Sequence, residues 1–124
     1  MVPDSPQLLN NLAASYALQG RVEESEALAR RIMGKHPEYL FARTSVVHRL
    51  IDRGECEEAL ELLKPLAEWD RMHVLDAAAL CNAYVHLMIW LGEIDEAGRW
   101  LDMLEQLNPE DSNLDRWRPI LGRV

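Results

Sequence analysis

The chain has 124 residues, of which 48% are hydrophobic and 27% are charged, and its formal net charge at pH 7 is −8. This length suits one domain, and this balance is typical of a folded protein rather than a disordered one. A net negative charge repels phosphate backbones, so nucleic acid is not expected among the partners.

The sequence predicts neither a targeting segment nor a membrane span. The first residues, MVPDSPQ, are polar, and the most apolar run, AYVHLMIWL, is too short to cross a bilayer. Cys56 and Cys81 are isolated and show no CxxC spacing, which favours buried, reduced thiols. A disulfide between them is the alternative. The cytoplasm is the expected compartment.

The first predicted element is a pair of helices joined at a glycine. The segment NNLAASYALQG has apolar residues at helical spacing up to Gly20, and a second helical pattern then runs to Pro37. Glycine just past a helix supplies a left-handed cap, and proline marks the next stop. Ala13 and Ser25 are small residues inside the two apolar stripes. They predict that the two helix backbones lie close together.

The same pattern recurs twice further along the chain. Gly54 follows Gly20 by 34 residues, and Gly92 follows Gly54 by 38 residues. Each glycine precedes an apolar or small residue and two acidic positions, and a small residue then follows in each unit: Ser25, Ala59 and Ala97. The four additional residues of the third unit predict one extra helical turn near Met72 to Asp76.

A period of about 34 residues with two helices per unit resembles the tetratricopeptide repeat. The resemblance implies an all-α fold, an α-solenoid of antiparallel helix hairpins that forms a right-handed superhelix of about seven helices. We expect a single domain, 1–124, with repeats at about 6–37, 38–71 and 74–109.

A short capping helix is predicted at about 111–119, after the third repeat. Asp111 or Ser112 can cap its start, and Leu114 with Trp117 forms an apolar edge that covers the last repeat. Nothing comparable covers the first repeat, where Leu8 or Leu9 is expected to face solvent. The chain is therefore also interpretable as the C-terminal part of a longer array, or as a homodimer through this N-terminal end face.

No residue constellation predicts an enzyme. The paired acids that recur after each glycine lie in the first turn of a helix, where negative charge is stabilised by the helix dipole. His48 and His86 occupy equivalent places in neighbouring repeats and are expected about 8–10 Å apart. Because no third ligand accompanies them, we expect no metal and no cofactor.

The resemblance also implies a function, since first helices in the family line a concave groove that binds an extended peptide or a partner's helix. The chain is therefore expected to be a non-catalytic protein–protein interaction scaffold. The alternative is a self-associating structural module. Spacing assigns eight residues to the groove, and their being ordinary solvent-exposed positions is left open: Gln7, Asn10, Phe41, Thr44, His48, Asn82, His86 and Trp90.

Chaperone-binding members of the family grip a C-terminal carboxylate with lysines, asparagines and an arginine on these helices. The resemblance places that clamp at positions occupied here by Asn10, Ala14, Ser45, Ala79 and Ala83. The clamp is therefore absent.

Overall fold

A computed structural model describes residues 5–68 and 72–123, which form seven α-helices and contain no β-strand. The helices are α1 (Pro6–Leu18), α2 (Val22–Lys35), α3 (Leu40–Asp52), α4 (Cys56–Ala67), α5 (Val74–Trp90), α6 (Ile94–Leu107) and α7 (Asn113–Ile120). This architecture confirms the predicted all-α helical-repeat fold. The predicted repeat boundaries remain a prediction, and the one at residue 71 lies outside the described residues.

The turn inside each hairpin is built on a glycine with a positive φ angle. Gly20, Gly54 and Gly92 have φ of 79°, 79° and 78°. After each glycine, the next backbone N–H turns back to a carbonyl of the first helix; Arg21 N–H, for example, donates to the Tyr16 oxygen at 2.8 Å. These hydrogen bonds satisfy carbonyl groups at the helix end that have no partner within the helix, as a left-handed glycine cap does. The predicted role of the three glycines is confirmed.

Small residues bring the two helices of the first hairpin into close contact. Ala13 and Ser25 are both buried, and the Ser25 hydroxyl donates a hydrogen bond of 2.7 Å to the Ala13 carbonyl oxygen. Ala59 and Ala97, at the equivalent places of the later hairpins, are completely buried. The sequence expectation of close backbone approach is confirmed.

The helix α5 is longer than its counterparts because its extra turn lies at its start. It has 17 residues, whereas α1 and α3 have 13 each, and all three end two residues before a turn glycine. The helix begins at Val74 rather than Met72, since the His73 ring caps it: Nδ1 accepts from the Leu75 N–H at 3.1 Å. The predicted extra turn is confirmed.

Two apolar clusters form the core, and α5 belongs to both. One cluster joins α2, α3, α4 and α5, and the other joins α5, α6 and α7. Leu114 and Trp117 of α7 are almost fully buried in the second cluster, as the predicted capping role requires. Asp111 stabilises the start of α7 because its Oδ1 accepts from the Asn113 N–H at 2.9 Å.

The packing order leaves α1 at one edge of the molecule. α1 packs on α2, α2 on α3, α3 on both α4 and α5, and α5 on α6. Ala13 is the one buried residue of α1. The face of α1 that points toward α3 is therefore open, and this opening forms one part of the candidate site.

We expect Ala13→Leu to lower the free energy of unfolding by about 1–3 kcal/mol, because it overfills the contact with Ser25. Ala14→Leu is the matched control, since Ala14 is exposed and a larger side chain meets no packed neighbour there. Urea unfolding of the two variants measures the difference. Equal losses of stability would contradict the register assigned to α1.

Candidate partner-binding groove

Two adjoining cavities lie along the first helices of the hairpins. The α1–α3 cavity has a volume of about 570 Å³ and is lined by α1, α2 and α3, with Asn82 of α5 and Asn113 and Arg116 of α7. The α3–α5 cavity, of about 300 Å³, lies between α3 and α5 and reaches the loop before α7. Five lining residues are common to both: Asn10, Ser45, His48, Asn82 and Asn113. The two cavities therefore adjoin, and together they are called the groove.

Most of the predicted groove residues do meet at this place. Five of the eight line the α3–α5 cavity: Asn10, Phe41, Thr44, His48 and Asn82. Gln7 lies exposed in the first turn of α1, and Trp90, 52% exposed, lies at the end of α5 beside the Gly54 turn. Neither lines the groove.

Thr44 and His86 are buried, with 6% of each residue exposed. The Thr44 hydroxyl turns back to the Phe41 carbonyl at 3.3 Å, and His86 lies under the groove between α3 and α7. Sequence spacing placed both on the open helix face. His86 is buried because it packs against His48 of α3 and Trp117 of α7.

The expected separation of the two histidines is wrong. His48 and His86 are in direct contact, with their Nδ1 atoms 2.6 Å apart and their ring centroids 4.9 Å apart. Helix axes at ordinary spacing still allow this, because each imidazole reaches about halfway across the gap between α3 and α5. The pair is therefore one hydrogen-bonded unit rather than two separate groove side chains.

The histidine pair belongs to a chain of hydrogen bonds that crosses three helices, which we call the relay. The Trp117 Nε1–H donates to Asn82 Oδ1 at 2.6 Å, and Asn82 Nδ2 lies 3.4 Å from His48 Nε2. His48 then contacts His86 through the two Nδ1 atoms, and His86 Nε2 lies 3.0 Å from the Asp52 Oδ1.

The donors and acceptors of the relay fix the tautomers of both rings. Trp117 can only donate, so the Asn82 amide nitrogen faces His48 and donates to its Nε2. His48 therefore carries its proton on Nδ1 and donates it to His86 Nδ1. His86 in turn carries its proton on Nε2, which donates to the carboxylate of Asp52. Every member is satisfied when both imidazoles are neutral.

The comparisons with known proteins bear on the first hairpin. Residues 7–36, which span α1 and α2, match the family model of the tetratricopeptide repeat. The first helix hairpin is therefore similar to a tetratricopeptide repeat. No curated protein and no solved structure matches the chain.

Sequence reasoning missed several residues that line the groove, among them two arginines and an asparagine. Arg49 lies one residue after His48, and Asn113 and Arg116 belong to α7. A signal for Arg49 existed, since it lies next to a predicted groove position. The α7 residues carry no such signal, because their place depends on how the capping helix folds back over α5.

The described residues include neither a cluster of metal ligands nor a thiol with a lowered pKa. Within residues 5–68 and 72–123, no group of three histidine, cysteine or acidic side chains is arranged to hold a metal ion. Cys56 and Cys81 are free thiols, and burial raises the pKa of Cys81 to about 11, so this thiol stays protonated. None of the described helices combines the length and apolar character that crossing a membrane requires.

Burial keeps both histidines of the relay neutral. Burial, followed by the neighbouring His86 and the positive charge of Arg116, lowers the pKa of His48 from 6.5 to about 4. Burial also lowers the pKa of His86, with Arg116 adding to the effect and the Asp52 carboxylate opposing it. The relay is therefore intact at neutral pH.

Acidification should destabilise the fold through the relay. Since the pKa of His48 is lower in the folded protein than in the unfolded chain, unfolding takes up a proton below pH 6.5. Full stability is present above that pH and is lost as the pH falls toward 4. Between about pH 7.5 and about pH 5 we expect a loss on the order of 2 kcal/mol from His48.

Urea unfolding across this pH range measures the effect. His48→Gln should show a smaller loss, because the variant lacks the group that takes up the proton. His73→Gln is the comparison outside the relay; because it removes the cap of α5, only the change of its stability with pH is compared, not its stability at a single pH. A His48→Gln variant with the full pH dependence of the unmodified protein would contradict the assignment.

Proposed function

We propose that this protein is a scaffold that binds a segment of another protein in the groove. Tetratricopeptide repeats generally mediate protein–protein interaction, and residues 7–36 carry the match to that family. The observation that supports the groove is its size and form: two adjoining cavities of about 570 and 300 Å³, bounded by helices on several sides. These volumes lie in the range of ligand-binding clefts and can hold several residues of a bound chain.

The rim of the groove supplies the contacts in this proposal. Phe41 is 37% exposed and lies beside Tyr39, with ring centroids 5.7 Å apart. An aromatic side chain at a groove edge is the kind of anchor that dominates binding energy at interfaces. Ser45 is exposed and lines both cavities, so a bound segment passes over it.

The floor of the groove has a different part in the proposal. Both polar groups of the Asn82 amide are already engaged in the relay, by Trp117 and His48. We therefore assign Asn82, His48, His86 and Thr44 to shaping the floor. Of the predicted residues, Asn10 and Phe41 remain as direct partner-binding candidates in the groove, whereas Gln7 and Trp90 lie outside it. A floor whose hydrogen bonds are all made is rigid, and binding to it loses little entropy.

The proposed partner is a protein or peptide rather than nucleic acid, because the net charge of −8 repels phosphate. We propose no catalytic activity and no cofactor, since members of the family typically act as scaffolds. The two free thiols support the cytoplasm as the proposed compartment.

Site-directed photo-crosslinking tests the groove. A photo-reactive amino acid at position 45 should form adducts with a partner, whereas the same group at position 61, exposed on α4, should not. Phe41→Ala should lower the affinity for that partner about tenfold. Adducts from position 61 with none from position 45 would place binding on the outer helices and contradict the proposal.

Self-association is a second candidate, supported by the outer face of α1. Leu8 is 52% exposed and Leu12, one turn further, is 42% exposed. Leu9 is half-buried, so Leu8 and Leu12 form the apolar face that sequence reasoning assigned to Leu8 or Leu9. An exposed apolar pair at the end of a repeat array is suited to a second copy of the chain.

Sedimentation at rising concentration tests this candidate. A dimer should form, and Leu8→Glu should return it to the monomer because a charge then lies in the apolar contact. Leu18→Glu is the matched control, since Leu18 is 90% exposed at the opposite end of α1. A monomer at every concentration would eliminate self-association.

A further inference from the structure

Most basic side chains of this acidic protein are already paired with carboxylates. Arg53 and Arg30 both bind Glu26, and Arg123 reaches from the end of the chain to Asp102. Among residues 5–68 and 72–123, seven lysines and arginines form ion pairs with acidic side chains: Arg21, Arg30, Arg53, Lys64, Arg99, Arg118 and Arg123.

Two arginines of the groove are exceptions. Arg49 of α3 and Arg116 of α7 both line the α1–α3 cavity, and within the described part of the chain neither forms an ion pair. Arg49 is half-buried, and Arg116 lies over the Trp117 ring at 4.3 Å, which holds the guanidinium in place. Two cations from different helices thus border one cavity.

Arg116 is exposed, but it lies close to the groove floor: its guanidinium covers the Trp117 ring, whose centroid is 5.4 Å from that of His86. Its positive charge contributes to lowering the pKa of both histidines, although Arg116 lies on α7, His48 on α3 and His86 on α5. Since coulombic effects fade with distance, this places the guanidinium near the groove floor.

The acids of the same cavity do not neutralise the two arginines. Glu26 already accepts from Arg53 and Arg30. Asp52 accepts a hydrogen bond from His86, and its side chain is 60% exposed. It is therefore the one acidic side chain of this cavity that no arginine or lysine pairs with among the described residues. Both guanidinium groups are therefore available to pair with a group that enters the groove.

We propose that the groove selects an acidic protein segment, whose Asp or Glu side chains pair with Arg49 and Arg116. This inference rests on the proposed function and names the chemistry of the partner. Guanidinium groups bind carboxylates through two parallel hydrogen bonds, which gives both strength and orientation. The α7 guanidinium takes part, so the site differs from the carboxylate clamp excluded above.

The overall charge acts against such a partner only at long range. A net charge of −8 repels an acidic segment at low salt, but at about 0.15 M salt this repulsion is screened beyond about 8 Å. Contacts inside a partly enclosed groove are screened much less. The preference for acidic segments should therefore persist at physiological ionic strength, where long-range steering is weak.

Fluorescence anisotropy with two labelled peptides tests the inference. Both peptides are capped at each end and share a neutral Gly/Ser/Ala background, with Glu in one and Gln at the same positions in the other. At about 0.15 M salt the Glu peptide should bind at least about tenfold more tightly, since a charge-assisted hydrogen bond contributes more than a neutral one.

Variants locate the effect in the groove. Arg49→Gln and Arg116→Gln should each weaken binding of the Glu peptide about tenfold, with Arg49→Lys retaining part of the affinity. Arg31→Gln is the matched control, because Arg31 is exposed on α2 and does not line the groove. Thermal melts of all variants should match the unmodified protein, which excludes unfolding as the cause.

Three outcomes overturn the inference: equal affinity for the two peptides, an equal effect of Arg31→Gln, or no Glu-peptide binding up to about 1 mM. If the two peptides bind equally and Ser45→Trp abolishes the binding of both, only the acidic preference is overturned. The loss of binding then shows that the peptides still occupy the groove, which the larger side chain fills. Failure of the crosslinking at position 45, by contrast, overturns the groove itself.

Discussion

Close contact between two helix backbones is the constraint from which the molecule is built. In the first hairpin the contact is made by Ala13 and Ser25, where a hydroxyl donates to a carbonyl across the interface. A glycine with positive φ reverses the chain so that this contact can form. Since α1 is held by α2 in this way, it needs little contact with α3, and the open space between α1 and α3 becomes part of the groove.

The groove floor is set by a second constraint, the need to satisfy buried polar groups. Two imidazoles, an amide and an indole lie between α3, α5 and α7, and each buried donor without a partner would cost about 1–3 kcal/mol. The relay gives each of these donors an acceptor, in a single direction of donation that runs from Trp117 to Asp52. The same bonds join the capping helix to α5 and α5 to α3, so the shape of the floor and the docking of the cap depend on each other.

Charge is distributed unevenly between the outside of the fold and the groove. Acidic pairs lie at the starts of α2, α4 and α6, where the helix dipole favours them. In the part of the chain that the structure describes, most lysines and arginines pair with these and other acids, whereas Arg49 and Arg116 form no ion pair at the α1–α3 cavity. Two arginines without an ion pair therefore border the groove of a protein whose net charge is negative.

Local sequence determined the hairpins, because helix periodicity, turn glycines and small residues act over a few neighbouring positions. Those signals predicted the extra turn of α5, the capping helix and most of the helix face that lines the groove. The contact of His48 with His86, the burial of Thr44 and the arrival of Arg116 at the groove were decided by tertiary structure alone. Each depends on how far side chains reach between helices and on the angle at which α7 returns, and neither quantity is encoded by spacing within one repeat.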